Sequence, residues 1–324
     1  MIKIFAPEHG LRGIAEAGEE VENGQDKKTG VQIISLYGKH LKPSKEDLQN
    51  VEVVLFDIQD IGARFYTYIS TMTYVMEACA EQGIPMIVLD RPNPNGFYVD
   101  GLVLDTAYSS FVGLHPVPIV YGMTIGEYAM MVNGEGWLKY HISCNLKVVP
   151  VEGYDHNMIY KLPVRPSPNL PNWQSVYLYP SLCLFEGTVV SVGRGTDKPF
   201  QVIGHPHYMI GSYLFIPRRM PGMSSNPPYV DQYCTGIDAS SFADHILENE
   251  HHLNLFYLLS FYKVLTIQPN SVFFNSYFDK LAGGLELREM IIQGKSEDEI
   301  RQSWEPKLSK FREIRKKYLL YPDF

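Results

Sequence analysis

A chain of 324 residues, 45% hydrophobic and 20% charged, carries ample apolar material for a core and has the length of roughly two domains. Its formal net charge of -8 disfavours nonspecific contact with nucleic acid or an anionic surface, so an anionic ligand would need local arginines. No apolar run reaches the ~18 residues of a membrane span, and the chain as given shows no signal peptide.

The first strand is expected at Ile2–Ala6. It breaks at Pro7 and presents Glu8 and His9, followed by Gly10, Arg12 and Gly13. In open α/β sheets the carboxyl end of a strand is where ligands bind, although a polar turn with a capping carboxylate reads the same way. Because the chain opens directly in a strand, an incomplete or reannotated start is expected. Val31–Leu36, Val51–Ile58, Pro85–Asp90 and Leu146–Val151 are further strand candidates. Between them, Met72, Val75, Met76 and Cys79 recur at helical spacing, and Thr124-x-x-Glu127 is a capping box that opens a helix towards Trp137. Glu127 is thereby a cap rather than a catalytic candidate. The alternation predicts an α/β fold: a Rossmann-like, largely parallel sheet with helices on both faces.

Near Arg165 the texture changes. The stretch RPSPNLPNW is linker or rigid-loop chemistry, which divides the chain into a Rossmann-like domain over 1–170 and a smaller α+β domain over 171–324. Apolar, β-branched runs follow at Thr188–Val192 and Phe261–Ile267. A terminal helix capped by Ser296 and Glu299 carries one stripe of Ile300, Trp304, Leu308, Phe311, Ile314 and Tyr318, which is core packing.

Several chemistries lack their signatures. No GxGxxG follows a strand, Gly294-Lys295-Ser296 lacks the glycine of a phosphate loop, and there is no GxSxG elbow. Cys79, Cys144, Cys183 and Cys234 form no CxxC pair, and His205-Pro206-His207 has no acidic partner nearby in sequence. Neither a cofactor nor a metal is expected. What remains is a set of polar clusters after strands: Asp57, Gln59, Asp60, Arg64 and Tyr66; then Asp90, Arg91 and Asn93; then, in the second half, Glu186 and Arg194. Each has a plain alternative as a cap or an ion pair, but several such clusters together favour a shared cleft. Carboxylates, tyrosines, asparagines and arginines fit hydrolysis of a glycosidic bond, in which one carboxylic acid protonates the leaving oxygen and a second group attends to the anomeric carbon.

The ordered series FAPEHGLRG, FDIQDIGARFYTYISTM, LDRPNPNG, PSPNLP, LFEGT, GRGTDKPF and the closing FDKLAGG and KYLLYP strongly resembles the NamZ-type exo-β-N-acetylmuramidases, from the first residues to the last. Val189, Tyr121 and His205 depart from the family's pattern, and by the resemblance a first βα unit is expected to be missing before this start. The resemblance implies a cleft between two domains and release of N-acetylmuramic acid from the non-reducing ends of peptidoglycan fragments (muropeptides, MurNAc-GlcNAc), in the periplasm or outside the cell. It makes Glu8 the expected catalytic residue, with Asp57 and Asp60 beside it. His9, Gln59, Arg64, Tyr66, Arg91, Asn93, Asn169, Glu186 and Arg194 are the expected substrate-binding set. N-acetylmuramic acid carries a lactyl carboxylate, for which Arg64, ahead of Arg194, is the expected partner. Two rivals differ in class: an inactive muropeptide-binding protein on the same scaffold, and a nucleotide-using α/β enzyme that the missing glycine fingerprint disfavours.

Overall fold

The computed structural model describes residues 1–268 and 270–324. Strands β1 (Lys3–Ala6), β2 (Gly24–Gln25) and β3 (Gln32–Ser35) form a small sheet in the order β1-β3-β2, with β1 and β3 parallel. A second sheet is fully parallel and holds β4 (Val54–Phe56), β5 (Met86–Leu89) and β6 (Leu146–Val149) in that order. Helix α1 (Tyr68–Gln82) joins β4 to β5, and α2 (Ile125–Gly134) lies between β5 and β6, closed at its start by the Thr124–Glu127 capping box. Met72, Val75, Met76 and Cys79 are all buried on α1.

The parallel sheet is covered on one face only, where helices on both faces were expected. Val54, Phe56, Met86 and Val88 are buried, whereas Leu55 and Val149 on the other face are 61% and 41% exposed. Strand order supplies the reason. Right-handed crossovers that step in one direction across a sheet place every connecting helix on the same side, and β4-β5-β6 never reverses.

The second half begins with α3 (Trp173–Leu182), and its strands β7 (Val202–His205), β8 (Tyr213–Phe215) and β9 (Cys234–Asp238) pair antiparallel in the order β7-β9-β8. Helices α4 (Phe242–Asn249), α5 (Phe256–Leu265), α6 (Phe278–Ala282), α7 (Glu286–Ile292) and α8 (Glu297–Arg315) follow. Most of the run Phe261–Ile267 therefore belongs to a helix. In α8 the Ser296–Glu299 capping box is formed, and Ile300, Trp304, Leu308 and Phe311 are buried.

One hydrophobic cluster runs through both halves, from Leu36 to Phe311. Polar contacts reinforce it: Arg301 pairs with Asp100 at 2.6 Å, and Arg315 donates to the Gly122 carbonyl at 2.8 Å. The turn after β1 sets the site's geometry. His9, Gly10 and Gly13 have φ of 70°, 71° and 66°, a region that glycine enters without strain. Gly10 N donates to the Pro7 carbonyl and Gly13 N to that of Gly10, so two tight turns fold the segment back beside β1.

Candidate active site

A cavity of about 520 Å³ opens between the two halves, a volume suited to a small ligand. The first half contributes Glu8 and His9 from the turn after β1, Tyr37 from the end of β3, and Phe65 to Tyr68 from the loop entering α1. Asn169 comes from the proline-rich segment, Glu186 and Arg194 from the loops after α3, and Tyr277 and Lys280 from the start of α6.

Glu8 is held by two donors. Gly18 N–H donates to its Oε1 at 3.2 Å, and Thr67 Oγ1 lies 2.7 Å from its Oε2. Thr67 occupies the N-cap position of α1, yet its hydroxyl makes no capping bond and turns to Glu8 instead. Tyr68 adds a hydrogen bond to the Glu8 carbonyl at 3.2 Å. His9 Nδ1 lies 2.8 Å from the Ala15 carbonyl, which can only accept; the proton is therefore on Nδ1, and the ring is fixed.

Glu186 is the cavity's second carboxylate. Its Oε1 takes Arg194 Nε–H at 2.5 Å, and the guanidinium also lies 5.0 Å from the Phe200 ring centroid. Burial opposes the charge on Arg194, but the adjacent Glu186 outweighs it and raises the guanidinium above its usual value. Burial pushes the Tyr37 and Tyr277 hydroxyls up, and the negative charge of Glu8 adds to both, so the two remain neutral phenols. Tyr277 also feels the charge of Glu186, and its side chain lines the same cavity as both carboxylates.

Residues 1–174 match the N-terminal domain of exo-β-N-acetylmuramidase NamZ, and residues 177–321 match its C-terminal domain. The chain belongs to the NamZ exo-β-N-acetylmuramidase family. The peptidoglycan β-N-acetylmuramidase NamZ of Bacillus subtilis (strain 168) is 42% identical over 336 residues, spanning 98% of this chain and 79% of that protein. A crystal structure of a DUF1343 family protein from Bacteroides fragilis superposes with a TM-score of 0.91 at 47% identity, over 100% of this chain and 87% of that one. A second DUF1343 family structure from the same organism gives 0.82 at 31% identity, over 99% and 86%.

Of the residues that the sequence assigned to the family's site, the cavity gathers Glu8, His9, Tyr66, Asn169, Glu186 and Arg194. Tyr66 donates to the Pro166 carbonyl at 2.8 Å, and Asn169 Nδ2 to that of Met223 at 2.6 Å, so both fix the proline-rich segment as they line the wall.

The remaining members lie outside the cavity lining, each for a visible reason. Arg64, expected to meet the substrate's carboxylate, is fully buried. Its terminal nitrogens donate to the carbonyls of Leu102, Val117, Leu281 and Ala282 at 2.6 to 2.9 Å. It bolts α6 to the first half. Asp60 is buried beneath the β4–α1 loop, where its Oδ2 accepts from Tyr121 and from Gly62 N–H while its Oδ1 has no protein partner. Burial raises its carboxyl to about 6, against the lowering effect of those two bonds. Gln59 Nε2 bridges the carbonyls of Asp60 and Pro92, and Asn93 binds the Met123 carbonyl and Asn95 N–H. Both side chains staple loops. Asp57 and Arg91 pair with each other at 2.6 Å on the surface, 50% and 40% exposed. His205 and His207 have ring centroids 5.4 Å apart, and among the described residues they join no cluster of three or more metal-ligating side chains.

Thr67 and Lys280 lie inside stretches that carry the family resemblance, but neither was among the expected site residues. Thr67 lies inside the stretch FDIQDIGARFYTYISTM, and only its contact with Glu8, 59 residues away in sequence, marks it out.

Proposed function

We propose that this chain is an exo-acting β-N-acetylmuramidase that releases N-acetylmuramic acid from the non-reducing end of peptidoglycan fragments, MurNAc-GlcNAc among them, in the periplasm or outside the cell. The observation that carries the reading is the pairing of two carboxylates in one cavity: Glu8 from the first half and Glu186 from the second. Hydrolysis of a glycoside needs two such groups across the scissile bond.

The hydrogen bonds distinguish the roles. Gly18 N–H can only donate, so Glu8 Oε1 is an acceptor in either protonation state. The Thr67 hydroxyl can donate or accept, so a proton on Oε2 keeps a partner there. Glu8 is thus built to gain and lose a proton at one defined atom, as an acid for the departing sugar oxygen must. Glu186, ion-paired with Arg194, is the carboxylate available to the anomeric centre or its attacking water. The neutral tyrosines supply faces and hydroxyls for the sugar ring.

The test uses two substrates. Glu8→Gln keeps the size of the side chain but cannot supply the proton, so release from MurNAc-GlcNAc falls by about 10²–10⁴-fold. A strongly activated aryl glycoside, whose phenolate leaves unprotonated, is largely spared. Equal losses on both substrates would remove Glu8 as the acid. Failure of the wild-type protein to release N-acetylmuramic acid from either substrate would overturn the function itself.

A further inference from the structure

We propose that Lys280 is the specificity residue that reads the lactyl carboxylate distinguishing N-acetylmuramic acid from N-acetylglucosamine; this rests on the function proposed above. The chain's net charge is -8, so an anionic sugar is repelled at long range and needs a cation placed at the site. With Arg64 buried on backbone carbonyls, the charged side chains lining the cavity are Glu8, Glu186, Arg194 and Lys280, with His9 beside them. Arg194 is already matched to Glu186 at 2.5 Å. The oxygens of Glu8 face Gly18 and Thr67. Asp279, the acid next to Lys280 in sequence, is held by Arg288 at 2.8 Å. Among the described residues Lys280 makes no ion pair, so it is the cavity cation whose charge no protein carboxylate cancels.

Its backbone is fixed, while the residue itself is exposed and carries its charge on a long stem. Arg64 holds the carbonyls of Leu281 and Ala282, and Asp105 N–H holds that of Gly283 at 2.8 Å. At the other end of α6, Gly187 packs so closely on Phe278 that a Cβ there would lie 2.4 Å from the Phe278 Cα. Asn275 Nδ2 donates to the Glu186 carbonyl at 3.1 Å, which ties the approach to α6 to the segment bearing the second carboxylate. Lys280 therefore stands at a set position relative to Glu186. An ammonium offers three donors and a full charge to a carboxylate, and nothing comparable to the unsubstituted hydroxyl of N-acetylglucosamine.

The experiment compares aryl β-glycosides of N-acetylmuramic acid that share one leaving group and carry the lactyl group either free or capped as a neutral methyl amide. Loss of a hydrogen bond to a charged partner predicts that Lys280→Met lowers kcat/KM on the free acid about tenfold or more. The amide stays within about twofold, because it presents no charge to lose. The preference for the free acid thus collapses, and Lys280→Arg keeps most of it. Equal losses on the two glycosides, or a preserved preference, would overturn the proposal. Calorimetric binding of free N-acetylmuramic acid reads the same contact without turnover: wild-type protein binds it more tightly than Lys280→Met does, and equal affinities would overturn the assignment. If the wild type turned over neither glycoside, the muramidase reading would fall, while the calorimetry would still decide for or against Lys280.

Discussion

Replacing Arg64 with methionine removes four hydrogen bonds at once and leaves a side chain of similar length. The guanidinium is fully buried, and no carboxylate pairs with it among the described residues. Its stabilisation comes from the carbonyls of Leu102, Val117, Leu281 and Ala282, at 2.7, 2.8, 2.9 and 2.6 Å. Burial pushes the guanidinium down to about 9, which still leaves it a cation at neutral pH. A hydrogen bond to a charged group contributes about 1.5–3 kcal/mol, so four amount to roughly 6–12 kcal/mol before the cost of dehydrating the cation. That cost is several kcal/mol, and the net loss expected on breaking such a buried group is about 3–5 kcal/mol. Urea unfolding followed by tryptophan fluorescence measures it, with Arg64→Lys recovering only part, because one ammonium cannot span both pairs of carbonyls. A loss below about 1 kcal/mol, together with a raised KM for the lactylated sugar, would refute the structural role and return Arg64 to the substrate.

Two further substitutions address Thr67, which holds Glu8, and Asp60, which is buried outside the cavity. Thr67→Val removes the hydroxyl at Glu8 Oε2 with little change in volume; kcat on MurNAc-GlcNAc should fall about tenfold or more and its pH profile should move, with Thr67→Ser restoring both. Unchanged pH dependence in the valine variant would show that Thr67 only packs. Asp60 has a folded value of about 6, above the 3.8 of an ordinary aspartate, so the folded state binds more protons between those limits and wild-type stability declines as pH rises through them. Asp60→Asn removes that dependence, and its stability relative to wild type should rise by up to about 3 kcal/mol from pH ~4 to pH ~7. A flat difference across that range would mean that Asp60 stays ionised in its buried site.

The elements most legible in the sequence are those whose signals are local. Both capping boxes, at Thr124 and Ser296, open helices, because a cap and its glutamate lie three residues apart and need no tertiary partner. The apolar runs of β1, β3, β4, β5 and β6 lie where they were expected, although each strand is shorter than its run. Of the residues expected at the site, Glu8, His9, Tyr66, Asn169, Glu186 and Arg194 line the cavity. Gln59, Asn93 and Arg64 share the residue types and positions of a sugar-binding set, but they satisfy backbone carbonyls of the loops that build the site. Sequence cannot separate these uses, because a buried loop and a sugar present the same donors and acceptors. Thr67 and Lys280 are common residue types: the first is marked by its contact with Glu8, distant in the chain, and the second by its place in the cavity wall.

Strand order also explains why the cavity lies between the halves. In a doubly wound sheet the crevice forms where the order reverses and successive helices diverge to opposite faces. Here β4-β5-β6 steps in one direction, so α1 and α2 share a face and the parallel sheet offers no such crevice. Glu8 comes instead from β1 in the separate small sheet, where its turn meets the β4–α1 loop through Thr67 and Tyr68. The facing wall, with Glu186, Arg194 and Lys280, belongs to the second half. Neither half holds both carboxylates, so the spacing between them depends on how the halves are fastened. Arg64 on α6, Arg301 on Asp100 and Arg315 on the Gly122 carbonyl make that connection, all three through charged hydrogen bonds that are wholly or largely buried. The site is therefore as rigid as this interface, and a substitution far from the sugar can change catalysis by shifting one carboxylate against the other.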